Sequence, residues 1–133
     1  MLPIGILMKE HRLIERMIRI IELEAAKVLK NREVNVDFTR TAIDFIRTYA
    51  DRIHHGKEED ILFRDLAKTP EIQPVHMNMI RELTDEHEWG RVRVSELESV
   101  LDEYAQGERI RVDAIAGYLK ELADFYPRHI EKE

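Results

Sequence analysis

Cysteine is absent from this sequence. Its absence excludes disulfide bonds, thiolate zinc sites, cysteine-ligated iron–sulfur clusters and cysteine nucleophiles. Any metal ion would have to be held by histidine and carboxylate side chains, and the chain has 6 histidines and 27 acidic residues to supply them. The search for a functional site therefore turns to nitrogen and oxygen ligands.

Glycine and proline are also scarce, with 5 and 4 residues among 133. This scarcity, together with the lack of low-complexity stretches, predicts a chain without a long linker or a disordered arm. A chain of 133 residues with 44% hydrophobic content can bury the core of one compact domain but has no room for a second. We therefore expect a single domain over residues 1–133.

An excess of basic residues is missing too. The 27 acidic and 21 basic residues give a net charge of -6, which disfavours nucleic acid and anionic membranes as partners. The opening segment MLPIGILM is apolar but short, and it lacks the basic start of a signal peptide. The sequence predicts a soluble cytoplasmic protein that binds neither nucleic acid nor membrane, and it leaves the oligomeric state open.

Apolar residues recur at steps of three and four along four segments, which is the pattern of helices that each bury one face. Asp37 is the predicted N-cap of the second helix, and Thr69-Pro70 ends that helix. Pro74 suits the first position of the third helix, and Gly107 marks the turn before the fourth. Four helices joined by short loops predict an all-α, up-down-up-down antiparallel bundle.

Each predicted helix carries a histidine on its core-facing side, and the third carries two, His76 and His87. Four of them, one from each helix, are at a similar height. Counted from the predicted turns at about 1.5 Å per residue, these histidines all lie about 27 to 30 Å from the same end of the bundle. Two of them are followed one helical turn later by a glutamate, as in His55/Glu59 and His129/Glu133. The candidate ligands of a two-metal site in the bundle core are therefore His11, His55, Glu59, His87, His129 and Glu133.

The second helix has a second candidate pair of ligands, His54 and Glu58, which have the same spacing as His55 and Glu59. At about 100° per residue, His54 and Glu58 share a direction with charged residues, whereas His55 and Glu59 lean toward the apolar side. We favour His55 and Glu59, and His54 with Glu58 remains the alternative.

A single His-Glu pair is weak evidence, because with 27 acidic residues among 133 about one histidine in five has an acid four residues on by chance. Four histidines at one level are stronger evidence. Burying four imidazoles and two carboxylates without a metal would cost several kcal/mol of desolvation. His76 does not join this set, since it lies 11 residues before His87, or about 16 Å along the helix, and it is interpreted as a capping or loop histidine.

These motifs resemble the hemerythrin-like (HHE cation-binding) domain. The resemblance is carried by the segments LMKEHR, HHGKEEDILF, EH and HIEKE, which begin at Leu7, His54, Glu86 and His129. It covers nearly the whole chain, and the ordered set is specific although each motif alone is not. It implies two non-haem iron ions with an oxo or hydroxo bridge, glutamates that bridge the irons, histidines that cap them, and a small diatomic molecule or peroxide as the ligand.

The family motif occurs twice in approximate duplication, once with Glu10-His11 and His55/Glu59 and once with Glu86-His87 and His129/Glu133, at offsets of 76 and 74 residues. Two helical hairpins related by a pseudo-two-fold axis would give each metal a similar set of donors.

Two departures from the family pattern refine the expected function. Leu83 stands where oxygen carriers of the family have the first histidine of His-x-x-x-His, so each iron would have two histidines and open positions. The last helix stops at Glu133, so we expect a truncated helix or a weakened second bridge. We expect a protein that binds or senses dioxygen or a related small oxidant. The alternatives are a di-iron redox enzyme acting on peroxide or nitric oxide, and an iron-handling protein.

Overall fold

The computed structural model of the protein describes residues 3–56, 74–108 and 111–132. These residues are almost entirely helical, and none of them lies in a β-strand. The four helices are α1 (Pro3–Asn31), α2 (Val36–Phe45, continued by a π-helical segment over Ile46–His55), α3 (Pro74–Ala105) and α4 (Val112–Lys132). The predicted all-α four-helix architecture is confirmed.

The helices pack around one apolar core. α1 packs most extensively on α4, α3 contacts both α4 and α2, and the π-helical segment contacts α3 and α1. Every helix contributes to one buried apolar cluster, in which Ile21, Leu119 and Leu122 are completely buried. This cluster occupies the end of the bundle where α1 connects to α2 and α3 to α4. None of the described helices combines the length and the hydropathy that a membrane-spanning segment needs.

The N-terminus of α2 differs from the prediction. Asn35, not Asp37, is the N-cap, and its Oδ1 accepts a hydrogen bond of 3.0 Å from the backbone N–H of Phe38. The prediction of Asp37 was therefore wrong by two residues. Asp37 lies in the first turn, where its negative charge interacts favourably with the helix N-terminus.

The two ends of α3 agree with the prediction. The helix begins at Pro74, so His76 lies in its first turn rather than in a loop. At the other end Gly107 has a φ of 115°, which glycine adopts without steric cost. The Gly107 N–H donates to the Tyr104 carbonyl and the Glu108 N–H to the Glu103 carbonyl, each at 3.0 Å, which is a Schellman motif. The Thr69-Pro70 stop of the second helix lies outside the described residues.

The second half of α2 is π-helical from Ile46 to His55. In a π-helix each N–H bonds five residues back, so successive side chains follow a different angular phase from that of an α-helix. The prediction that His54 points toward charged surface residues assumed the α-helical phase, and it was wrong. The side chains of His54 and His55 are both buried, with 1% and 3% exposure. Such π-helical stretches are uncommon and occur frequently at functional sites.

Candidate metal centre

Five histidine side chains lie buried beside one another, beyond the apolar core. Their exposed fractions are 1% for three of them and no more than 6% for any. Centroids of neighbouring rings are 3.7 to 5.6 Å apart, so the rings form one continuous group. All four helices contribute, since the members are His11 of α1, His54 and His55 of α2, His87 of α3 and His129 of α4.

Three of these histidines form a compact trio. One ring nitrogen from each of His55, His87 and His129 lies within 4.8 Å of the other two. The rings of His55 and His87 stack 3.7 Å apart and are nearly parallel, while His129 meets the His87 ring edge-on at 4.7 Å. Three imidazoles gathered in this way form a donor set that zinc, iron, copper and nickel all accept.

The other two histidines form a pair next to the trio. The rings of His11 and His54 lie 4.6 Å apart at an interplanar angle of 71°. The His54 ring is 5.6 Å from that of His55, which joins the pair to the trio. The cluster therefore has two adjacent lobes, a pair and a trio, and this division suits two metal ions better than one.

A carboxylate lies behind one histidine of each lobe. Nδ1 of His54 is 3.0 Å from Oε1 of Glu10, and Nδ1 of His129 is 2.9 Å from Oε1 of Glu86. The Nδ1–H of each ring donates to its carboxylate, which fixes the tautomer and leaves Nε2 as the metal-binding nitrogen. A hydrogen bond from a ligating imidazole to a carboxylate is the usual arrangement around protein-bound metals.

Glu10 and Glu86 were not among the predicted ligands, although both belong to the motifs that carry the family resemblance. The signal that identifies them is the dipeptide Glu-His, which occurs at residues 10–11 and again 76 residues later at 86–87. In each case the glutamate contacts a histidine on another helix. Such a contact cannot be read from the spacing within one helix.

A third carboxylate lies behind His55. Oδ1 of Asp51 is 3.6 Å from Nδ1 of His55, which is longer than a hydrogen bond, and the same carboxylate accepts from Nε of Arg91 at 2.8 Å. Burial raises the pKa of Asp51, but the interactions with His55 and Arg91 outweigh it and hold the pKa below its usual value. Asp51 is therefore an ionised carboxylate at neutral pH.

The predicted ligands divide into those that the structure describes and those that it does not. His55, His87 and His129 are brought together in the trio, and His11 lies in the neighbouring pair with His54, which had been the alternative to His55. Glu59 and Glu133 lie outside the described residues, as does Glu58. Their role as ligands stays a prediction.

A small cavity of about 80 Å³ adjoins the trio. Its wall includes His55, His87, Gly90, Arg91 and Tyr126. Burial raises the pKa of Tyr126, so this wall carries a protonated phenol. The cavity has room for a few water molecules or one diatomic ligand, and it is far smaller than the roughly 300–1,000 Å³ of clefts that hold organic ligands.

A larger groove of about 750 Å³ runs along α3 and α4. Trp89 and Phe125 lie on its wall, and Glu86 is the point at which it meets the histidine cluster. Two of the imidazoles, those of His55 and His87, line the small cavity, whereas none of the five lines this groove. The small cavity is therefore the space from which a ligand would reach the histidines directly.

Gly90 offers a test of how tightly the cavity wall is packed. A Cβ at this position would lie 3.6 Å from Cε1 of Phe125 and 3.9 Å from the Tyr126 hydroxyl, which are ordinary van der Waals distances. We expect Gly90→Ala to raise the free energy of unfolding by roughly 0.5–1 kcal/mol through helix propensity, with up to about 0.8 kcal/mol more from the buried methyl group. Urea denaturation measures this change.

Gly117→Ala in α4 is the matched control, because a Cβ at this position would meet nothing within 4 Å. This variant should be stabilised by the gain in helix propensity alone. A Gly90→Ala variant less stable than the wild type, alongside a stabilised Gly117→Ala, would contradict the described packing of the cavity wall.

Comparison with known proteins agrees with this geometry. The sequence profile described as "Hemerythrin HHE cation binding domain" matches residues 2–133, nearly the whole chain. Comparisons with curated proteins and with solved structures return no match. The family description and the buried histidine cluster both indicate that the chain binds metal cations. The protein therefore belongs to the hemerythrin HHE cation-binding domain family.

Proposed function

We propose that this protein holds two non-haem iron ions at the histidine cluster and binds or senses dioxygen or a related small oxidant there. The observation that carries the proposal is the two-lobed cluster of five buried imidazoles, in which each lobe has a glutamate hydrogen-bonded to one of its histidines. The donor set also fits zinc or manganese, so the preference for iron rests on membership of the hemerythrin family.

Desolvation supports a bound metal. Glu10 is 6% exposed, and it lies among five imidazoles of which none exceeds 6% exposure. A polar cluster of this size costs several kcal/mol to bury unless its charges and lone pairs are satisfied, and coordination to a cation satisfies them. Leucine in these positions would extend the apolar core without that cost. A purely structural bundle therefore has no reason to keep these residues.

The protein residues have separable roles at such a centre. Two irons would supply a redox-active, electron-donating pair of Lewis acids. His11, His54, His55, His87 and His129 would hold them, and Glu10 and Glu86 orient two of the rings through Nδ1. Glu59 and Glu133, or Glu58 in place of Glu59, are the proposed bridging carboxylates. The apolar core and the packed helices exclude bulk water from one side of the cluster.

The size of the adjoining cavity favours a small ligand. Its volume of about 80 Å³ suits dioxygen, nitric oxide or peroxide rather than an organic substrate. Asp51 and Arg91, which form an ion pair, lie on its wall together with His55. This arrangement provides a polar boundary next to the histidines.

Metal analysis with an air-exposed spectrum tests the proposal. Protein purified from iron-supplemented cells should contain about two irons per chain and develop a charge-transfer absorption when the reduced protein meets air. His129→Ala should lose both features, whereas His76→Ala, 11 residues from His87, should keep them. A reversible spectral change supports binding or sensing, and steady consumption of peroxide or nitric oxide would assign the protein to the redox enzymes instead. Metal-free or single-zinc protein would overturn the di-iron proposal.

A further inference from the structure

We infer that His55 serves as the third histidine of the metal position formed by His87 and His129, so that the two metal positions of this protein are unequal. The inference rests on the proposed two-metal centre and specifies its ligand distribution. It revises the expectation from sequence that each metal has two histidines.

The histidine cluster has an internal symmetry. His11 and His54 lie 4.6 Å apart at 71°, and His87 and His129 lie 4.7 Å apart at 64°. The carboxylate contacts repeat as well, at 3.0 Å from Glu10 to His54 and 2.9 Å from Glu86 to His129. The two halves of the site therefore match residue by residue.

This symmetry identifies His54, not His55, as the counterpart of His129. Both donate from Nδ1 to a glutamate, and they are separated by 75 residues, close to the 76 that separate His11 from His87. The residue that follows His129 is Ile130, so the symmetric position of His55 is apolar in the other half. His55 is therefore an additional donor that breaks the symmetry.

The position of His55 decides which metal it joins. Its ring stacks on His87 at 3.7 Å and meets His129 at 5.3 Å, and its donor nitrogen lies within 4.8 Å of theirs. His54 and His55 are the last two residues of the π-helical segment Ile46–His55, and both side chains are buried in the bundle. The ring of His54 contacts that of His11, and the ring of His55 contacts those of His87 and His129.

Leu83 explains why an extra histidine is useful at this position. It lies one helical turn before His87 on α3 and is only 5% exposed, so it shares the buried face of His87. A histidine there would supply a third donor from α3. In this chain that place is apolar, and His55 reaches His87 from α2 instead.

Asp51 lies behind His55. It is one turn before His55 on the same helix, with Oδ1 3.6 Å from Nδ1, and Arg91 fixes it from α3. This contact is longer than the hydrogen bonds that His54 and His129 make with their glutamates, but it gives His55 a carboxylate neighbour as well. A carboxylate near a ring nitrogen is the usual surrounding of a metal-binding imidazole.

Titration with Co²⁺ alone tests the inference. Wild-type protein should bind two Co²⁺ ions in two steps, because the positions differ by one imidazole. The Co²⁺ form should show five hyperfine-shifted imidazole N–H signals in its proton NMR spectrum. His55→Leu should weaken one of the two steps by about tenfold or more, since a lost ligand costs at least as much as a lost partner of a ligand. It should also show four shifted signals.

The double variant His55→Leu with Leu83→His is the decisive control. It moves the third imidazole from α2 to α3, and it should restore the affinity and the fifth signal if the two residues serve the same metal. Circular dichroism of the metal-free forms checks that each variant folds. His55→Leu protein with unchanged affinity and five signals would overturn the inference while leaving the two-metal proposal intact. Wild-type protein that binds no Co²⁺ would overturn both.

Discussion

Removal of the metal should lower the stability of this protein by several kcal/mol. A ligand that binds only the folded state stabilises it by about 2.7 kcal/mol when its free concentration is 100 times its Kd, and two ions contribute twice. For a chain of 133 residues, a loss of this size corresponds to a fall in Tm of roughly 10 °C or more. Thermal unfolding followed by circular dichroism, with and without a strong chelator, measures the change.

The physical reason is the burial of the polar cluster. Without a cation, the five imidazoles and Glu10 remain enclosed by four helices and away from bulk water, and burying so many polar groups is costly. His87→Leu is the informative control, because the variant loses a ligand that is 1% exposed and gains an apolar side chain in its place. Its metal-free form should be at least as stable as metal-free wild type, and a chelator should lower its Tm by less. Equal Tm values for wild type with and without chelator would contradict a metal at this cluster.

Much of this fold follows from the spacing of apolar residues. The four helices, the start of α3 at Pro74 and the turn at Gly107 were all predicted, because each depends on local chemistry within a few residues. The N-cap of α2 was predicted two residues late, because Asn35 and Asp37 are both good caps. Which of the two residues caps the helix depends on the backbone conformation of the loop that precedes α2, and Asn35 is the residue with the extended conformation of an N-cap.

The candidate site was less accessible from sequence, and the reason is the π-helical segment. In a uniform α-helical phase, His54 shares a direction with charged residues and His55 leans toward the apolar side, so only His55 was predicted to face the core. The structure buries both, and it directs them to different lobes of the cluster. The spacing of apolar residues along the segment does not reveal this change of helix type. The glutamate contacts were missed for the same reason, since they join different helices.

Loss of either supporting glutamate should weaken metal binding at one position by about 10- to 100-fold. Glu86 orients His129 and Glu10 orients His54, with Oε1–Nδ1 distances of 2.9 and 3.0 Å. We therefore expect Glu86→Ala to weaken one Co²⁺-binding step and Glu10→Ala the other. Competition with a chelator of known affinity measures both steps. Glu88→Ala, an exposed glutamate on the same helix as Glu86, should change neither.

Glutamine variants show whether the glutamates act by orienting a histidine ring or only by filling space. Glutamine keeps an oxygen that accepts from Nδ1–H, so Glu86→Gln and Glu10→Gln should recover part of the lost affinity. Loss of the Glu10–His54 contact should make metal-free Glu10→Ala less stable than metal-free wild type, because it removes one partner of a buried pair. If Glu10 orients His54, the variant should also bind Co²⁺ more weakly, whereas a purely structural role predicts unchanged metal affinity. Because the two halves of the site repeat each other, an effect of Glu86→Ala without a comparable effect of Glu10→Ala would contradict the pairing of the two lobes.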